Sequence, residues 1–83
     1  MKIRLKLYAL LGKYLPAHAN RNEADLDVAD GTTIVQVLAA LKVPEQDCHL
    51  VLVNGVFVAP SERQSHALIE GDALAIWPPV AGG

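Results

Sequence analysis

The chain has a single cysteine, Cys48, in 83 residues, so no disulfide can form within it, and that scarcity agrees with a reducing compartment. No apolar run approaches the ~20 residues that a membrane span needs. The N-terminus alternates Lys2, Arg4 and Lys6 with Ile3, Leu5 and Leu7, which is not the pattern of a signal-peptide core. A cytoplasmic protein with no membrane partner is expected. Positive charge is sparse too: seven Lys and Arg against nine Asp and Glu give a net charge of -2. Three of the seven lie in the first strand, and the total is too small for the footprint of a nucleic-acid partner. His18, His49 and His66 fall in separate loops without ligand spacing, so no metal site is expected. No glycine-rich segment has the form of a phosphate cradle, so no bound cofactor is expected either.

What remains is rich in apolar residues. They make up 52% of the chain, a high share for a domain too small to hide all of its apolar surface. Two readings follow, an exposed apolar docking patch or a rich core with scattered exposed side chains. The length leaves room for one domain only.

The patterning divides that domain into strands and one helix. Ile3, Leu5 and Leu7 against Lys2, Arg4 and Lys6 have the period-2 alternation of a half-buried strand. Ala9 to Leu15 reads as a short helical turn stopped by Pro16, followed by a polar loop through Asn20 to Glu23. Leu26 and Val28 alternate with Asp25 and Asp27 in a second strand that ends at the turn dipeptide Asp30-Gly31. The period then changes. Ile34, Val37, Leu38 and Leu41 fall on one face of a helix, with Thr33 and Gln36 at capping-box spacing before it and Pro44 limiting its end. Leu50–Val53 and Val56–Val58 flank Asn54-Gly55, the strongest short hairpin signal. Pro60 to His66 is a polar connection, Glu70-Gly71-Asp72 a turn, and Ala73 to Trp77 a last strand with Leu74 and Ile76 on one side. The expectation is an α+β domain over residues 1–77, a mixed sheet packed on one main helix with the first and last strands side by side. That arrangement is the β-grasp, or ubiquitin-like, fold.

Residues 78–83 form the expected extended C-terminal tail. Pro78 and Pro79 fix φ and lack amide hydrogens, so the chain leaving the last strand cannot continue a ladder and should project as a stiff lead-in. The alternative is that the pair only terminates the strand. Beyond it lie Val80, Ala81 and a diglycine, Gly82-Gly83, taken as the true terminus. A terminal glycine offers a carboxylate on a carbon with no Cβ, able to enter a slot that any other residue would fill. Such a carboxylate is a poor electrophile until activated, for instance as a mixed anhydride with AMP.

The segment Gly71-Asp72-Ala73-Leu74-Ala75-Ile76-Trp77-Pro78-Pro79-Val80-Ala81-Gly82-Gly83 resembles the C-terminus of the MoaD/ThiS sulfur-carrier family, in particular of molybdopterin synthase small subunits. The Val53-Asn54-Gly55 turn, the Asp30-Gly31-Thr32-Thr33 helix entry and the opening strand are similar as well, so the likeness spans the chain. Ile76-Trp77 departs mildly, standing where the family often has two aromatics. The resemblance implies a carrier, not an enzyme. A ubiquitin-activating-like adenylyltransferase would adenylate Gly83 at the expense of ATP, and a sulfur donor would convert it to a thiocarboxylate. A large-subunit synthase, molybdopterin-type or thiazole-type, would then take the sulfur. The tail sequence favours the molybdopterin branch, and the short Val43 to His49 connection is closer to compact thiamine-type carriers.

Several residues have two readings. Phe57 and Trp77 are docking anchors for such partners, together with Pro78, Pro79, Val80 and Ala81 of the tail, or else core aromatics. Cys48 lacks a visible thiolate-stabilising neighbour and reads as an incidental thiol instead of a persulfide carrier. Asp25, Asp27 and Asp30 read as solvated. Two rivals keep the sequence facts and change the class: a ubiquitin-like modifier conjugated through Gly83 to lysine, and an interaction domain with a fortuitous tail.

Overall fold

The computed structural model describes residues 1–80. Five strands form one sheet in the order β2-β1-β5-β3-β4, with β1 at Lys2–Leu7, β2 at Glu23–Asp27, β3 at Leu50–Val53, β4 at Val56–Phe57 and β5 at Ala73–Trp77. The first and last strands are neighbours and run parallel, Leu5 opposite Leu74 and Leu7 opposite Ile76; all other pairings are antiparallel. One helix, α1 at Ile34–Leu41, completes a β-grasp fold. Short 3-10 helices at Ala9–Tyr14, Glu45–Asp47 and Pro60–Glu62 fill the connections.

The strand alternation becomes a division of faces. Ile3, Leu5, Leu7, Val51, Val53, Leu74 and Ile76 are buried and join Ile34, Val37 and Leu38 of α1 in one core. The helix starts as its sequence requires, because the Thr33 hydroxyl accepts from the Gln36 amide and the Gln36 side chain accepts from the Thr33 amide. These bonds satisfy two donors that the first turn would otherwise leave free. It stops at Leu41, ahead of Pro44: Lys42 turns left-handed with φ 62° and its amide reaches back to Ala39 and Leu38 carbonyls. That is a C-cap normally filled by glycine.

Three boundaries differ from the sequence reading. Glu23, assigned to the polar loop, begins β2, and Val28 lies past its end, held by its amide to the Met1 carbonyl. β4 stops at Phe57, although the Val58 amide still bonds to Val51. The hairpin turn is as expected, with Asn54 at φ 51° and Gly55 at φ 83°, the positive pair that suits the twist of the flanking strands.

The polar connection after β4 holds an unexpected group, since Arg63 is 5% exposed. Its guanidinium donates to the carbonyls of Val58, Cys48 and His49, and the Val35 amide donates to the Arg63 carbonyl. The guanidinium thereby ties the end of β4 to the entry to β3, and the residue's own carbonyl ties both to the start of α1. Asp72, also buried, does the same for two turns: its carboxylate accepts from the Asn54 side chain and the Ile69 amide.

Candidate functional site

The sheet has a second face, and it is apolar where function was sought. On β5 the residues between the buried ones are Ala73, Ala75 and Trp77; on β3 they are Leu50 and Leu52, all half-buried. Register places Leu50 opposite Trp77, and Leu52 opposite both Ala75 and Phe57. Phe57 is 55% exposed, which removes it from the core and puts it at the far end of this band. A helix packs on the inner face, and the outer-face residues keep part of their surface exposed.

Trp77 is held from two sides. Its ring stacks on Tyr8, centroids 4.2 Å apart and planes 4° from parallel. Its carbonyl accepts the His49 amide at 2.9 Å, and the Tyr8 amide bonds to the carbonyl of Ile76 at 3.1 Å. The base of the tail is thus clamped just before the chain leaves the sheet. Stacked aromatics give a rigid surface that loses little entropy on contact with a partner. Tyr8 was missed in the sequence, because it follows the alternating strand and its partner lies far along the chain.

Pro78 is half-buried, and Pro79 and Val80 are exposed without regular secondary structure. Gly83, which carries the activated carboxylate in the sequence reading, and Ala81 and Gly82 before it lie outside the described residues. The register therefore brings Trp77 and Phe57 to one side of the sheet, and Pro78 follows directly from Trp77.

The other candidates stand apart. Cys48 is 5% exposed and its thiol faces the Pro44 carbonyl at 3.5 Å. Burial pushes its pKa up; the Arg63 charge opposes that, and Asp47 and Glu45 add to it. A raised thiol is the opposite of an activated one. His18 bonds to the Asp25 carbonyl, and no cluster of metal-ligating side chains occurs among the described residues. Asp25 pairs with Arg4 at 3.2 Å on the exposed surface. No helix among the described residues is long and apolar enough to cross a membrane.

Among the described residues, one α-helix packed on one face of a five-stranded mixed sheet, with an apolar band on the other face and a tail after the central last strand, defines a small ubiquitin-like domain. The chain belongs to the ThiS family, whose profile matches residues 10–83. Solved structures agree. The Haloferax volcanii HVO 2177 protein shares 26% identity over all of this chain and 87% of its own, with a TM-score of 0.77. The small archaeal modifier protein 1 of Methanosarcina acetivorans shares 25% over 99% of this chain and 96% of its own, at 0.65. Subunits 1 and 2 of the molybdopterin-converting factor from Helicobacter pylori were solved as a complex. One chain of that structure matches over all of its own length and all of this chain at 17% identity, with a TM-score of 0.63, a likeness of fold. Among curated proteins none matches significantly.

Proposed function

We propose that this chain carries sulfur on its terminal glycine. The observation that supports this best is the family match extending to Gly83, joined to a tail whose base is clamped beside a partly exposed apolar band. In the proposed cycle a Gly83 carboxylate oxygen attacks the α-phosphate of ATP on a ubiquitin-activating-like enzyme, and pyrophosphate leaves. The terminal sulfur of a persulfide donor then displaces AMP, giving an acyl disulfide. A thiol cleaves its S–S bond, freeing the thiocarboxylate and leaving the donor in a disulfide. The chain contributes the acyl group and a surface that presents it; the catalysts are its partners. Gly82 has no side chain to obstruct a narrow channel, and Pro78 to Ala81 lead into it.

The acceptor we favour is a molybdopterin synthase large subunit, on the Pro78-Pro79-Val80 sequence of the tail; a thiazole-type synthase is the alternative. The fold likeness to a subunit solved in a two-subunit complex supports a partner of that kind. A second reading has its own support in the similarity to a protein described as a small archaeal modifier: a lysine amine in place of the persulfide would displace AMP and form an isopeptide bond.

The test is the intact mass of the chain after incubation with ATP, an activating enzyme from the same organism and a persulfide donor, beside a chain lacking Gly83. Exchange of one oxygen for sulfur, confined to the full chain and mapped to its terminal peptide, is expected. An unchanged mass with demonstrably active enzyme would defeat sulfur carriage. Lysine-linked adducts in cell extract would then favour the modifier, and their absence the plain interaction domain.

A further inference from the structure

The outer face is not uniformly apolar. Crossing the sheet from β4 towards β2, the apolar band ends at Ala75 and Ala73, and the next strand presents Lys6 and Arg4 directly opposite them, with Lys2 in line. Three of the chain's seven basic residues thus stand on one face of one strand. Beyond them β2 presents Glu23, Asp25 and Asp27, paired in register with Lys6, Arg4 and Lys2. The charges are unequally spent. Arg4 takes both Asp25 at 3.2 Å and Glu23 at 3.7 Å, whereas the ammonium groups of Lys2 and Lys6 meet no carboxylate within ion-pair distance among the described residues.

The three cations also line a shallow cleft of about 390 Å³ with Ala73, Asp25 and Glu70. Ala73 contributes only a methyl group to its floor. Its two carboxylates are engaged: Asp25 by Arg4, and Glu70 by accepting the Lys2 amide at 2.8 Å. The cleft therefore offers two free ammonium groups beside an apolar surface.

We propose that this basic strip seats an acidic stretch, Asp or Glu side chains, on the surface of the adenylating enzyme, and so sets the orientation in which the tail is delivered. The proposal rests on the docking reading above, and it commits to that enzyme because adenylation begins both the carrier and the modifier route. A partner that covers the apolar band must lie against the strip at its border. Only a partner whose own order is apolar then acidic satisfies it in one orientation; the reverse orientation puts its carboxylates on the apolar band and gives neither lysine an ion-pair partner. Complementary charge at the edge of an apolar contact acts in this way, on encounter rate and register more than on bulk affinity.

The experiment measures binding of the full chain to the purified adenylating enzyme of the same organism, at low and high salt. The variants are Lys2→Glu/Lys6→Glu, Lys2→Gln/Lys6→Gln and Trp77→Ala, each checked for folding by its urea midpoint. At low salt the charge reversal is expected to weaken binding by about tenfold or more and the neutral pair by less, mainly through slower association. Added salt should weaken the wild type and leave the neutral pair nearly unchanged. Trp77→Ala should weaken binding at either salt. If only Trp77→Ala weakens binding, the acidic partner surface is wrong and the docking face stands. If none of the three does, both fall. The neutral pair keeps the test valid if glutamate at position 6 disturbs β2.

Discussion

The two faces of the sheet are built from the same strands, one residue out of step, and they differ in what their apolar side chains accomplish. On the inner face Leu5, Leu7, Leu74 and Ile76 are wholly buried against α1 and its flanking loops. On the outer face Leu50, Leu52 and Trp77 remain half-buried and Phe57 is mostly exposed. Burial explains the first set, since each side chain leaves water on folding. It explains the second only in part, because a sheet solvated on one face ordinarily alternates apolar with polar residues. The apolar band is thus the part of the sheet that burial accounts for least, and the clamped base of the tail lies at its end.

Mutations placed on the two faces should separate stability from docking. Leu5→Ala and Ile76→Ala are expected to cost about 2–5 kcal/mol of unfolding free energy by urea titration, through lost burial and the cavity left behind. Much of the margin of a small domain, about 5–15 kcal/mol, would go with either. Trp77→Ala should cost the isolated domain less than these, but weaken binding to the adenylating enzyme by about 2 kcal/mol, as a stacked aromatic anchor does. If Leu5→Ala and Trp77→Ala lose stability equally and neither affects binding beyond that loss, the distinction between the faces is wrong.

Arg63 sharpens the contrast from the inner side. Arg63→Met keeps the length of the side chain and removes the donors to three carbonyls. A loss of about 2–3 kcal/mol is expected, from acceptors left unmet in a buried site, with sulfur loading of the folded fraction unchanged. This residue also shows where the sequence stops being legible. Strand alternation, the capping box and Asn54-Gly55 are local signals; β1, the helix start and the hairpin turn stand where they indicate, and only the ends of β2 and β4 shift. The partners of Arg63 are backbone carbonyls up to 15 positions away, and a carbonyl has no residue type by which to be recognised. Tyr8 and Trp77 illustrate the same limit, since their stack depends on the parallel pairing of the first strand with the last. The exposure of Phe57 is settled by β4 being a two-residue edge strand, which composition does not reveal. The terminal glycines are the reverse case, conspicuous in sequence and outside the described residues.

Thr33→Ala probes the inner layer, where Thr33 bonds to Gln36 and bridges to Ala67. Removing its hydroxyl frees the Gln36 amide, and a loss of about 1 kcal/mol is expected from a broken N-cap. Binding to the adenylating enzyme should be unaltered. A drop in affinity at constant fold would mean that the helix side also meets the partner, and the division between faces would have to be redrawn.

The pH dependence contributed by Cys48 is the smallest effect and the sharpest test of which face carries chemistry. Its thiol is buried with the core, and burial raises its pKa above the ordinary thiol value. The folded state therefore binds the thiol proton more tightly than the unfolded chain does. By linkage that contribution to stability is complete below the unfolded thiol's pKa and is lost as pH rises through the folded one. Wild type should lose slightly more stability than Cys48→Ala over that alkaline window, while at neutral pH the alanine variant is about 1 kcal/mol less stable for want of the sulfur's packing. Alkylation of the native chain at mildly alkaline pH should be much slower than in urea, because the buried thiol is both protonated and shielded. Rapid native alkylation, or failure of a folded Cys48→Ala chain to accept sulfur, would move a reactive group into the inner face and undo the assignment of all transfer chemistry to the tail.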